Sequence, residues 1–412
     1  MVGLLIASLA WGAVTVWTVI QHASAAHDVV ATSEPLSLSA QRMYRSLSDA
    51  DDVTTSTFLA RINEPLTDRQ RYAADIAQAA ADLTSLRNAA AGSANSRLVS
   101  DLAVVSAGLP LYTGYVAQAQ TERTLGWSLT ASSFMQVASE EMHVTLLPAA
   151  RQIYQQENAA LAASSARATG LPWIVVAVLL AIVLGVVLFR VQRWLTRRTH
   201  RIVNYGLLVA SVVLVASVLW LVAAFAVARA DLNRGAAHGS APAEMLAQAA
   251  IDTQQARGDE VVNLISRSGD TPFVQDFDSL RKALGPGPNT LLTGAASSSP
   301  SGAGARWAAA AASAERAWYV VNNQAYTYDH ESDYRLETPL VTGTTRGTSG
   351  FGFTQVENDL SRAIAADQVV FDSSARAGSN AFTGLDVGII VAAVIMAAGC
   401  AWGLARRLAE YR

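Results

Sequence analysis

Four uncharged apolar stretches, Val2–Ile20, Leu171–Phe189, Tyr205–Ala228 and Val387–Ala405, alternate with two polar stretches of about 150 residues each. A hydrocarbon core of about 30 Å needs roughly 20 helical residues, so each apolar stretch is long enough to cross a bilayer. The pattern predicts transmembrane helices at 1–20, 171–190, 205–228 and 387–405, large polar segments at 21–170 and 229–386, a loop at 191–204 and a tail at 406–412. Ala23-Ser24-Ala25 has the small residues of a signal peptidase site. The apolar run before it exceeds a usual signal core and has no basic flank, which favours a retained helix over cleavage and suggests that Met1 is not the true start.

Inside the polar segments apolar residues recur every three or four positions, the period of helices that bury one face. Leu36, Ala40, Met43, Leu47, Ala50 and Phe58 approximate one stripe; Tyr72, Ile76, Ala79, Leu83 and Leu86 form a second. Leu98, Leu102, Val105, Leu109, Tyr112 and Val116 form a third, and Phe134, Ala138, Met142, Leu146, Ala149 and Ile153 a fourth. Four such stripes predict an antiparallel four-helix bundle. Asn63-Glu64-Pro65, Ala91–Asn95 and Thr124–Gly126 mark its turns, Thr67 with Gln70 reads as a capping box, and Pro110 and Pro148 predict kinks or short breaks.

The second segment repeats this plan in letters. Ser164-Ser165-Ala166-Arg167-Ala168 precedes the second span and Ser373-Ser374-Ala375-Arg376-Ala377 the fourth. Ala40-Gln41 leading to Asp51-Asp52 is echoed by Ala247-Gln248 leading to Asp259-Glu260. Trp307, Ala311, Ala314, Trp318, Val321, Ala325 and Tyr328 give the second bundle its own stripe, while 285–304 and 342–352, rich in Gly, Pro, Ser and Thr, read as loops. The predicted fold class is therefore an all-α membrane protein: four transmembrane helices with two tandem-duplicated, four-helix-bundle-like extracytoplasmic domains.

Charge sets the expected orientation. The chain carries 30 Lys+Arg and 33 Asp+Glu, a net charge of −3. Outside the two polar segments the balance inverts: Arg190 at the end of the second span, Arg193, Arg197, Arg198 and Arg201 in the loop after it, and Arg406, Arg407 and Arg412 in the tail face a single acid, Glu410. Short Arg-rich connections stay cytoplasmic, which predicts a multi-pass plasma-membrane protein with both termini inside and both polar segments outside. This positive charge is first a topology and lipid-headgroup signal and gives no ground for nucleic-acid binding; Arg193, Arg197, Arg198, Arg201, Arg406 and Arg407 are the candidates for contact with lipid or a cytoplasmic partner. Cys400 is the sole cysteine and lies in the fourth span, so no intrachain disulfide can form.

Catalytic, cofactor and metal constellations are not found. Glu140-Glu141-Met142-His143 holds one Glu-x-x-His, but no second exists to complete a di-iron set, and its position beside the buried stripe predicts a solvated helix face. The remaining histidines lack ligand spacing, and the Gly-rich stretches lack the Gly-Lys-Ser/Thr of a phosphate loop. The four apolar stretches carry no ionisable residue, which disfavours a pump or channel. Gly399-x-x-x-Gly403 offers a close-packing face to another helix, and a homo-oligomer built on it stays open. The expected class is a non-enzyme without cofactors.

Helices passing from a distal bundle into spans, with almost no cytoplasmic mass, have the layout of a sensor that lacks its own output domain. The duplicated plan and the run Glu34-Pro35-Leu36-Ser37 through Gln41, Tyr44, Leu47 and Asp51-Asp52 resemble the GlnX family of actinobacterial four-span membrane proteins. That resemblance implies two partners: an extracellular solute-binding protein of the glutamate/aspartate type, and the cytoplasmic Ser/Thr protein kinase PknG. The function it implies is a relay of amino-acid availability across the membrane; the alternative is a non-signalling envelope scaffold. Antiparallel bundles place the first and third turns farthest from the bilayer, so the expected docking tips are Arg61, Asn63, Glu64 and Trp127 in the first bundle. In the second they are Arg267, Phe273, Tyr326, Tyr328, Asp329 and Tyr334, where tyrosines interleave with charge.

Overall fold

A computed structural model describes residues 2–59, 66–92, 95–170, 172–199, 205–266, 272–285, 287, 290–298 and 302–409. Among them every regular element is helical and no strand occurs. In chain order these are α1 (Val2–Asp28), α2 (Glu34–Leu59), α3 (Leu66–Ala90), α4 (Ser96–Thr124), α5 (Ser128–Glu140), α6 (Leu147–Thr169), α7 (Pro172–Thr199) and α8 (Tyr205–Gly235). The second half continues with α9 (Ala241–Ser266), α10 (Pro272–Leu284), α11 (Leu291–Ser298), α12 (Ala303–His330), α13 (Tyr334–Thr342), α14 (Ser349–Asn380) and α15 (Leu385–Ala409).

Three π-helical turns, Val29–Ser33, Glu141–Leu146 and Ala236–Ser240, carry the chain from α1 to α2, α5 to α6 and α8 to α9. Each is followed by a helix whose second residue is proline: Pro35, Pro148 and Pro242. Proline has no N–H to donate, and its ring would meet the carbonyl four residues back. A wider turn carries the helix past that defect without breaking it. The kink expected at Pro148 is thus a π-turn, whereas Pro110 is absorbed within α4.

The chain divides into two compact units. One comprises Met1–Thr32, Ala162–Gly235 and Asp372–Arg412 and holds four helical segments long and apolar enough to cross a membrane. Its core is Leu4, Trp11, Ala181, Leu184, Leu188, Leu207, Ala210, Leu214, Ala393, Met396 and Cys400. The Trp11 indole donates to the Ala177 carbonyl at 3.1 Å, which satisfies a polar group that lipid would leave bare. The small-residue face of α15 packs inside the chain: a Cβ on Gly399 would lie 2.8 Å from the Gly206 carbonyl oxygen and 3.6 Å from Ala210 Cβ. Gly399→Leu is expected to cost about 1–3 kcal/mol through this overpacking. Thermal unfolding of the purified protein in detergent should move down accordingly, and an unchanged midpoint would place α8 farther away.

The other unit comprises Ser33–Leu161 and Ala236–Phe371, so the two polar segments pack as one body rather than standing as two separated bundles. The stripes of the first segment are its core: Ala40, Met43, Leu47, Leu83, Leu86, Leu102, Val105, Tyr112, Val116, Met142, Leu146 and Ile153 are buried together, and Ala247 and Ile251 of α9 join them. A second core lies on the other face of α9, where Leu246, Ala249 and Ala256 meet Phe277, Leu292, Ala311, Trp318, Phe353, Val356 and Leu360.

Local expectations met different fates. The turn at Gly126 is present with φ +84°, a conformation that glycine adopts freely. Asn95 caps α4 by accepting from Leu98 N–H at 3.3 Å. Thr67 sits inside α3 rather than at its cap, so the capping box is not formed. The stretch 285–304 is not all loop, because Leu292 and Ala295 bury enough apolar surface to hold α11. Asn63-Glu64-Pro65 lies outside the described residues.

Candidate functional site

A continuous polar seam runs through the second unit where α2, α9 and α14 meet. On α2, Arg45, Asp49, Asp52 and Ser56 recur at helical spacing and so share one face. Gln254 donates to Asp49 at 3.1 Å and Arg257 to Asp52 at 2.9 Å, each pair 205 residues apart, so α2 and α9 lie side by side in the same direction and in register. Glu357 of α14 accepts from Arg45 at 3.0 Å and stands 3.7 Å from Arg71. Burial, and then the neighbouring charge of Glu357, hold the Asp49 carboxyl well above the usual carboxylate range.

Arg257 is the hub. It is 2% exposed and bonds Asp52 at 2.9 Å, Glu260 at 2.7 Å and the Val341 carbonyl at 3.2 Å. Glu260 also accepts from Ser349 at 2.6 Å and from Asn322 at 2.8 Å, and the Trp318 indole donates to Ser349 at 2.7 Å. The start of α14 comes this close because residue 352 is glycine: a Cβ there would lie 2.9 Å from Trp318 Cβ.

His143 departs from its expected place on a solvated face. The π-turn Glu141–Leu146 turns its ring toward α2, where Nε2 lies 3.0 Å from Asp51 Oδ2. Burial works against the charged ring, but the bond to Asp51, its charge and that of Asp259 outweigh it and raise the pKa of His143. Gly258 permits the approach, since a Cβ would fall 2.5 Å from His143 Cε1.

Beside the seam lies a pocket of about 130 Å³ between α9, α10, α12 and α13. Asp259, Glu260, Asn263, Phe277, Asp278, Tyr319, Asn322, Asn323, Tyr326 and Glu337 contribute to its wall, and no Arg or Lys does. Asp259 is 8% exposed, and its Oδ2 has no hydrogen-bond partner among the described residues. Burial, opposed by the charge of His143 and reinforced by repulsion from Asp276, pushes its carboxyl up to about 7. Among the described residues no group of three His, Cys, Asp or Glu could hold a metal ion.

The residues expected at the docking tips fall in different settings. Trp127 caps α5 and is 61% exposed, available to a partner. Tyr326 instead lines the pocket and stacks edge-on with His330 at 4.3 Å, and Asp329 is buried, accepting from Asn263 at 3.3 Å. Tyr328 and Tyr334 are half-buried. Arg193 is exposed on α7; Arg197 and Arg198 lie in its last turn, and Arg406 and Arg407 lie on α15. Phe273 lies in the first turn of α10, whereas Arg61, Asn63, Glu64, Arg201 and Arg267 lie outside the described residues. None of the seam residues was expected as a site. Asp51-Asp52 and Asp259-Glu260 stood out only as repeat markers, yet charge recurring at helical spacing in α2 was a signal for it.

Residues 25–166 match the family model described as the actinobacterial sensor domain, which fits an actinobacterial sensor membrane protein. Searches of curated proteins and of solved structures gave no match.

Proposed function

We propose that this chain is a non-enzymatic transmembrane signalling component that relays an extracellular state to a cytoplasmic effector. The observation that carries the reading is helical continuity: Gly3–Leu59 and Tyr205–Val261 each run unbroken, so α2 and α9, which meet in the buried ionic seam, are extensions of apolar helices. A helix transmits displacement along its axis, and a seam of competing ion pairs gives two helices discrete alternative partners. The sensor-domain match over 25–166 supports the same reading. The parallel register of α2 and α9, each entered through a π-turn and a proline, supports a duplicated ancestry.

In this proposal the second unit faces outside and the Arg-rich loop and tail face the cytoplasm, in keeping with the Arg distribution. The outside partner is a solute-binding protein of the amino-acid type, met at Trp127 and the tyrosine-bearing end of α12; the inside partner is a Ser/Thr kinase, met at Arg193, Arg197, Arg198, Arg201, Arg406 and Arg407. Both follow the resemblance to the GlnX family.

In a Cys400→Ser background, Ser128→Cys should react with an impermeant thiol reagent in intact cells, and Thr196→Cys should not. A fluorophore on Thr196→Cys in nanodiscs should then change its emission when the seam is broken by Arg45→Ala. Inverted labelling would overturn the topology. A silent fluorophore would leave the scaffold reading in its place.

A further inference from the structure

We infer that the pocket between α9, α10, α12 and α13 binds a small organic ammonium ion, with the Asp259 carboxylate as its counter-ion. Four carboxylates, from Asp259, Glu260, Asp278 and Glu337, reach this wall without a Lys or Arg among its lining residues, so the site repels anions. Glu260 is already engaged by Arg257, Ser349 and Asn322. Asp259 is different: it lines the cavity, is 8% exposed, and has a buried Oδ2 without a partner among the described residues, so its carboxylate lacks a donor that the chain itself does not supply. The burial that pushes this carboxyl up is the same cost that an incoming ammonium group would offset.

The rest of the wall narrows the chemistry. Phe277 and Tyr326 offer ring surface to a cation or its methylenes, whereas one face of Tyr319 is already covered by the Arg281 guanidinium at 3.1 Å; Asn323 adds an amide, the amide N–H groups of Asn263 and Asn322 being given to Asp329 and Glu260. A volume of about 130 Å³ resembles engineered cavities of about 150 Å³ that admit benzene, so the occupant has roughly six non-hydrogen atoms. The described carboxylates do not converge as metal ligands, which favours an organic cation over a divalent ion. Glu260 joins the pocket to Arg257, and Arg257 reaches Asp52 on α2. Occupancy would therefore bear on the seam. Only that consequence rests on the signalling proposal; binding does not.

The test is calorimetry on the full chain in nanodiscs at pH 7.5 with n-butylammonium, 1-butanol, butyrate, magnesium chloride and Nα-acetyl-lysine amide. Butylammonium should bind at least tenfold more tightly than butanol or butyrate. Asp259→Asn should weaken it at least tenfold while keeping the helical circular dichroism, and Asp278→Asn, an exposed change, should weaken it several-fold. Equal binding of butanol, retention of affinity in Asp259→Asn, or preference for magnesium would overturn the inference. Tighter binding of the blocked lysine would overturn it too, by assigning the pocket to a partner protein's side chain. The Thr196→Cys fluorophore read during the same titration separates the two proposals: heat without an optical change leaves the cation site standing and counts against the relay.

Discussion

Arg257→Ala is expected to destabilise the second unit by about 3–5 kcal/mol, because it strips the cation from two carboxylates and leaves them buried. The Arg257 and Glu260 side chains are each 3% exposed, so water replaces little of what Glu260 loses, while Asp52, 19% exposed, keeps partial access to solvent. The same substitution frees the Val341 carbonyl and the Ser56 hydroxyl, which tie α13 and α2 to α9. The triple change Arg257→Met, Asp52→Asn and Glu260→Gln should recover most of the loss, since it removes the charges together and keeps the volume. Denaturant unfolding followed by circular dichroism measures both. A loss below about 1 kcal/mol for the alanine variant would mean that the hub is hydrated rather than closed.

A pH dependence centred on Asp259 is the second large effect. Its carboxyl titrates near 7 in the folded chain and near 3.9 in an unfolded one. Below about pH 4 it is protonated in both states and contributes nothing. Between about pH 4 and 7 the unfolded chain releases the proton and the folded chain holds it, so stability falls as pH rises, then levels off. Three units correspond to at most about 4 kcal/mol. Asp259→Asn lacks this dependence, so its advantage over the parent should grow from near zero at pH 4 to as much as about 4 kcal/mol at pH 7. His143, whose pKa is raised, loses its own contribution as pH rises through its folded value, which adds in the same direction above about 6.5. Melting both proteins across this range is the measurement. Parallel curves would show that Asp259 is solvated or paired, and would remove the vacancy on which the cation site depends.

These two effects sit on one short piece of α9, where Arg257, Gly258, Asp259 and Glu260 succeed one another. The four residues point around the helix to α2, to His143, to the pocket and to α14 in turn. Successive residues of a helix are rotated by about 100°, so four neighbours cannot share one face and their common burial requires other elements on every side. The packing of α2, the π-turn at His143, α12 and the start of α14 around α9 supplies those sides.

The sequence by itself determined the elements that depend on local periodicity and on bulk transfer. The four apolar helices follow from runs of uncharged residues long enough for a bilayer, and most stripe residues from Ala40 to Ile153 are found buried, with Phe58, Tyr72, Ile76 and Phe134 only partly so, because a 3.6-residue repeat fixes the apolar face whatever packs on it. Gly126 and Asn95 did what their backbone and side chain permit anywhere. What lay between elements far apart in the chain was decided only by tertiary structure. Asp52 and Arg257, 205 residues apart, carry no local sign of their pairing, and His143 looks solvated until Gly258 lets α9 approach it. Charge burial depends on desolvation, a property of the surroundings and not of the residue, so the seam and the pocket became visible only once α2, α9, α12 and α14 had closed around them.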